Sequence, residues 1–74
     1  MERATPFLEM LRCKGLDLDE THAATGVARE TIRLLTLGRV LPTLKTTMKL
    51  SKCMGLPVGV LAQVFADQYE HRAA

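Results

Sequence analysis

Few side chains in this 74-residue chain could make or break a covalent bond. Cys13 and His22 could meet across two neighbouring helices as a thiol–imidazole pair, but no acid stands at a recognisable spacing to orient the imidazole. A chain this short also lacks the walls for a pocket of ~300 Å3 or more. Cys13 and Cys53 join no Cys-x-x-Cys pair and no histidine-spaced set, so zinc has no ligand set to use. The expectation is a protein that is not an enzyme and carries no metal or cofactor. His22 reads as a partly exposed helix residue and His71 as a tail residue. The cysteines read as reduced, small apolar side chains.

The remaining chemistry is charge. Between Gly26 and Lys52 stand Arg29, Arg33, Arg39, Lys45, Lys49 and Lys52 against Glu30 alone, a local balance of +5. Elsewhere four basic residues face seven acidic ones, a balance of −3, so the overall +2 hides a polarised chain. A basic half suits a polyanion. A solvated helix surface carries lysines too, and the charge alone allows both readings.

These residues must be positioned by short helices. The chain is 47% hydrophobic and only 4% aromatic, with Leu, Ala and Met as the apolar mass and no strand-like alternation. Its length suits a single domain over 1–74, with a core over about 5–69 and a frayed tail from His71. The expected fold class is all-α, a compact five-helix bundle. Thr5-Pro6 opens the first helix, with Phe7 and Leu11 one turn apart and Gly15 ending it. Asp17, with Glu20 three residues on, opens the second, whose Ala23 and Ala24 allow close helix approach. Thr25-Gly26 makes a turn. The third helix, about 28–37, puts Val27, Ile32 and Leu35 on one face and Arg29, Glu30, Thr31 and Arg33 on the other. Its cap is weak, because Ala28 stands where Ser, Thr or Asp is favoured. Thr43 caps a fourth helix to about Met54, with Leu44, Thr47, Met48, Ser51 and Met54 on one face and Lys45, Lys49 and Lys52 on another. Pro57 opens a fifth, with Val60, Leu61, Val64, Phe65 and Gln68 as its stripe. No signal peptide is apparent and no apolar run approaches the ~20 residues of a membrane span, so an intracellular soluble protein is expected.

Two short helices joined at a glycine turn form a helix-turn-helix pattern. With Gly15-Leu16, Thr25-Gly26-Val27, Arg29-x-Thr31-Ile32, Leu35, Gly38-Arg39, Pro42-Thr43-Leu44, Leu50, Gly55-Leu56 and Leu61 in this order, the chain resembles the lambda-repressor-like (Cro/Xre-type) helix-turn-helix DNA-binding domain family from about Phe7 to Phe65. It departs from the pattern in places. His22 stands where the family usually has a small alanine, and Thr21 precedes it in an apolar position. Either the register of the second helix differs or His22 finds room at an edge. Leu11 and Thr36 replace an arginine–glutamate pair, which reads as a compensated swap to apolar packing. Leu18 replaces a polar side chain that often contacts the DNA backbone.

The resemblance implies a transcriptional regulator, a repressor for example, binding double-stranded DNA in a bacterial or phage cytoplasm, at the nucleoid. It places Ala28, Arg29, Glu30, Arg33 and Leu34 at groove-facing positions of the major groove. Arg29 and Arg33 could each hold guanine O6 and N7, and Glu30 could accept from a cytosine amino group or instead hold Arg33 as an i,i+3 pair. Thr31 supplies a phosphate or capping hydroxyl. Arg39 and Lys45, with the amides of Thr43, Leu44 and Lys45, would hold phosphates. The family usually dimerises, so a homodimer on an inverted repeat is expected, with Val58, Val60, Val64, Phe65 or Tyr69 as candidate contacts. Leu34, Leu37, Val40 and Leu41 are more apolar than the family pattern. Burial against the fourth helix, a dimer or protein-partner interface, and a thymine-methyl contact by Leu34 all remain open. The partner reading makes a second class, a protein-binding regulator of antitoxin or phage anti-repressor type on the same scaffold. Phe7, Phe65 and Tyr69 look like core or interface residues, which leaves RNA no stacking platform.

Overall fold

The computed structural model describes residues 5–73, with side chains described through Glu70. Five helices follow in order: α1 (Pro6–Cys13), α2 (Leu18–Thr25), α3 (Arg29–Thr36), α4 (Leu44–Met54) and α5 (Val58–Ala73). The fold class is all-α, a five-helix bundle with no strand among the described residues. No helix among the described residues is long and apolar enough to cross a membrane.

Local chemistry sets most boundaries. Thr5, Asp17 and Thr43 each accept a hydrogen bond from the amide three residues on, at Leu8, Glu20 and Thr46. Pro6 occupies the first helical position, where no amide is missed. Ala28 caps α3 without a side-chain bond. Ala28→Ser should therefore stabilise the fold by about 1 kcal/mol, because the backbone there (φ −57°, ψ 139°) is already non-helical. Urea unfolding checks this, with no gain as the contrary result.

Gly26 and Gly38 are the two positive-φ glycines that bound α3. Gly26, at φ +76°, turns the chain from α2 towards α3. Gly38, at φ +72°, closes α3, with its own amide on Leu35 O and that of Arg39 on Leu34 O. A Cβ at Gly38 would also stand 3.4 Å from the Gln68 carbonyl oxygen on α5.

Phe7, Leu11, Leu35, Leu50, Met54, Leu61 and Phe65 form the core, with Met10, Leu16, Val40, Leu56 and Val64 packed partly buried around it. The rings of Phe7 and Phe65 lie 4.7 Å apart, tilted by 57°. The core therefore joins the ends of the chain, α1 and α5, to α3 and α4. It departs from the expected faces at several points. Leu50, not Leu44 or Met48, is the core leucine of α4; those two side chains are exposed. Val60 is exposed, whereas Leu61, Phe65 and Gln68 are buried. Ala23 and Ala24 are exposed, so the close approach of α2 is made at Thr21, which is fully buried. Helical spacing limits which residues can share a stripe, but the stripe that meets the core depends on where the neighbouring helices lie.

The positions at which the chain differs from the pattern it resembles have local solutions. The Thr21 hydroxyl donates to Asp17 O, and the Thr25 hydroxyl donates to Thr21 O. His22 stays at the surface, where Nδ1 lies 2.7 Å from Val27 O. A carbonyl only accepts, so Nδ1 carries the proton and the ring straps α2 to the turn. Leu11 is a core residue, and Thr36 is buried with its hydroxyl donating to Arg33 O. The replaced pair is thus half apolar packing and half a locally satisfied hydroxyl. The frayed tail expected from His71 meets a helical backbone through Ala73; the side chains from His71 onward and the whole of Ala74 lie outside the described residues.

Candidate nucleic-acid interface

α3 presents its polar side outward because its apolar side is consumed. Val27, Ile32 and Leu35 are buried, and Ala28, Arg29, Glu30 and Arg33 are exposed. Thr31 and Leu34 are half-buried. The groove-facing group proposed from sequence therefore lies along one helix, with Leu34 at its sheltered margin. The Thr31 hydroxyl takes no part in capping α3.

The arginines differ in how they are held. Arg33 donates from Nε to both Glu30 carboxylate oxygens, at 2.9 and 3.1 Å, and from Nη2 to Oε1. Of the two roles open to Glu30, the free protein adopts the i,i+3 pair. The Arg33 hydrogen bond holds the Glu30 carboxyl below its ordinary range, and the same bond raises the already high value of Arg33. A lowered carboxyl pKa makes the pair's contribution present at neutral pH and lost as pH falls through that lowered value. Both side chains are solvent-exposed, so little stability rides on it.

Arg29 is held from another helix. Its Nε lies 2.8 Å from Asp19 Oδ1, an ion pair between α3 and α2. Sequence spacing does not reveal this pair, because ten positions and a turn separate the residues. Its only early signal is an acid at the start of the helix before the turn. No other bond or ion pair among the described residues engages Arg29.

The second element of the site is the start of α4. Arg39, Thr43, Leu44 and Lys45 are all exposed, and no hydrogen bond takes the amides of Thr43, Leu44 or Lys45 among the described residues. The Thr43 hydroxyl is committed to Thr46, so only its amide is open to an anion. Lys45, Lys49 and Lys52 are exposed and form no ion pair among the described residues. Helix-terminal amides and unpaired cations together favour an anion.

The apolar residues separate into two sets. Leu34, Leu37 and Val40 are half-buried, and of these Val40 packs on the core. Leu41 is 54% exposed and is followed by Leu44 at 69% and Met48 at 46%, which moves the exposed apolar strip onto α4. Of the other candidate interface residues, Phe65 is corrected: it is 1% exposed and belongs to the core. Val58 and Val64 are half-buried, and Tyr69 is exposed. Among the described residues no group of three or more His, Cys, Asp or Glu side chains is placed to hold a metal. Comparison with family models, with curated proteins and with solved structures finds nothing that matches this chain, so its site stands on its own chemistry.

Proposed function

We propose that this protein is a sequence-specific double-stranded DNA-binding regulator of transcription, non-catalytic and cytoplasmic, of the lambda-repressor-like kind. The observation that carries this reading is the exposed outer side of α3, where Arg29, Glu30 and Arg33 stand together, with the unpaired amides and lysines of α4 nearby in the chain. A helix of this width enters the major groove, and arginine forks match guanine O6 and N7. Ala28, Glu30 and Leu34 complete the base-facing set. Arg39, Lys45 and the α4 amides hold the backbone and fix the register.

One such domain covers little DNA, and a homodimer on an inverted repeat supplies the rest. The body measures 31 × 26 × 20 Å, which fits two copies side by side at the ~34 Å spacing of successive major grooves. Of the α5 candidates, Val58, Val60 and Tyr69 are the ones outside the core and its packed margin, and so the ones to meet a second copy.

The test is selection from a random DNA pool at low salt, followed by binding measurements across a salt series. A short palindrome should be recovered, and log affinity should fall linearly with log salt. Lys45→Ala should weaken all sequences alike and reduce the salt slope by about 1. No enrichment, or affinity indifferent to salt, would overturn the reading.

A second reading is favoured by one observation, the exposed strip of Leu41, Leu44 and Met48. On it the protein is a protein-binding regulator of antitoxin or anti-repressor type. Leu44→Asp would then abolish a co-purifying partner while Arg29→Ala and Lys45→Ala leave that partner bound.

A further inference from the structure

We infer that Asp19 is a positioning residue that aims Arg29 at a single guanine, and so sets the specificity of one base pair from a helix that does not itself enter the groove. The inference rests on the DNA-binding reading and goes beyond it, because it assigns a role to a carboxylate outside the recognition helix.

The geometry has three parts. The Asp19–Arg29 pair bridges α2 and α3, so it ties the guanidinium to the rigid body of the fold and not only to its own helix. Its closest approach is through Nε, and no other group among the described residues engages Nη1 or Nη2. Those two nitrogens form the end-on fork that matches guanine O6 and N7. The pair is also exposed, 63% for Arg29 and 69% for Asp19, so it contributes little to folding. What it does supply is order. An arginine side chain carries about 2 kcal/mol of rotamer entropy, and a side chain already held in place loses less of it on binding.

Arg33 is the natural contrast. Its partner Glu30 lies on the same helix and takes its Nε–Nη2 edge with both oxygens. That pair neutralises charge within α3 without tying it to another element.

Asp19 has a second effect, because a carboxylate beside the groove repels phosphates. It should lower affinity for every sequence while sharpening the choice among them. A residue that serves folding alone has neither signature.

The experiment compares wild type, Asp19→Asn, Arg29→Ala and the double variant. Each is measured against the selected site, against sites with single base pairs changed, and against random-sequence DNA, with thermal unfolding alongside. Asp19→Asn should leave the melting temperature unchanged and bind random DNA more tightly. It should lose about tenfold of discrimination at one base pair, the same one at which Arg29→Ala loses its preference. In the Arg29→Ala background, Asp19→Asn should change discrimination nowhere. Wild type with no sequence preference overturns the DNA reading and this inference together. Selective wild type with unchanged discrimination in Asp19→Asn overturns this inference alone, as does a loss spread evenly over all base pairs.

Discussion

Phe65→Ala should cost about 3–5 kcal/mol, a large share of the stability of so small a domain. The ring is 1% exposed and packs 4.7 Å from that of Phe7, between the first and last helices. A 74-residue domain has roughly 4–11 kcal/mol of stability at 0.05–0.15 kcal/mol per residue, so one such cavity removes much of it. α1 and α5 are attached by this packing together with the hydrogen bond from the Phe7 amide to Gln68. Phe65→Leu keeps most of the volume and should cost far less. Circular dichroism during urea unfolding separates the two. A loss under ~1 kcal/mol for Phe65→Ala, with a change in sedimentation, would return this side chain to an interface role.

Gln68→Leu should be the next most damaging change, at about 2–4 kcal/mol. Gln68 is 5% exposed, yet both ends of its amide are used. Oε1 accepts from the Phe7 amide at 3.1 Å, and Nε2 donates to Leu35 O at 2.6 Å. One α5 side chain thus serves an open amide in the first turn of α1 and a carbonyl in the last turn of α3. Leucine fills the space and serves neither. Leu35 O keeps its bond from the Gly38 amide, so the larger penalty falls on Phe7. Gln68→Glu gives a sharper test. The charged carboxylate can accept from Phe7 but meets Leu35 O with another oxygen, so its protonated form, which donates, is favoured in the fold. The folded pKa is then raised, and stability should increase as pH falls through it, opposite in sign to Glu30. A Gln68→Glu variant whose stability does not rise on acidification would remove the clasp from this account.

This clasp also explains why α3 sits as it does. Gly38 passes close to the Gln68 carbonyl, and Gln68 holds the carbonyl of Leu35, so the end of α3 is fixed against α5. The end of the proposed DNA-facing helix is thereby tied to α5, and a site built on fixed elements is the more precise for it.

The sequence by itself determined the helix ends, the turns and the polarity of α3. Those are local matters: a threonine or aspartate three residues before an amide, a proline at the first helical position, a glycine at positive φ, and apolar residues at helical spacing. It also determined the polarised charge. The tertiary structure alone decided which stripe of α4 and α5 is core, because Leu44 and Leu50, or Val60 and Leu61, are equally apolar and differ only in what lies opposite them. The bonds across the fold were decided there too. Asp19 with Arg29, and Gln68 with Phe7 and Leu35, join residues that no periodicity links, and they meet only because the helices pack. The local half of the candidate site was therefore legible in Arg29, Glu30 and Arg33, while the half that holds Arg29 in place comes from α2.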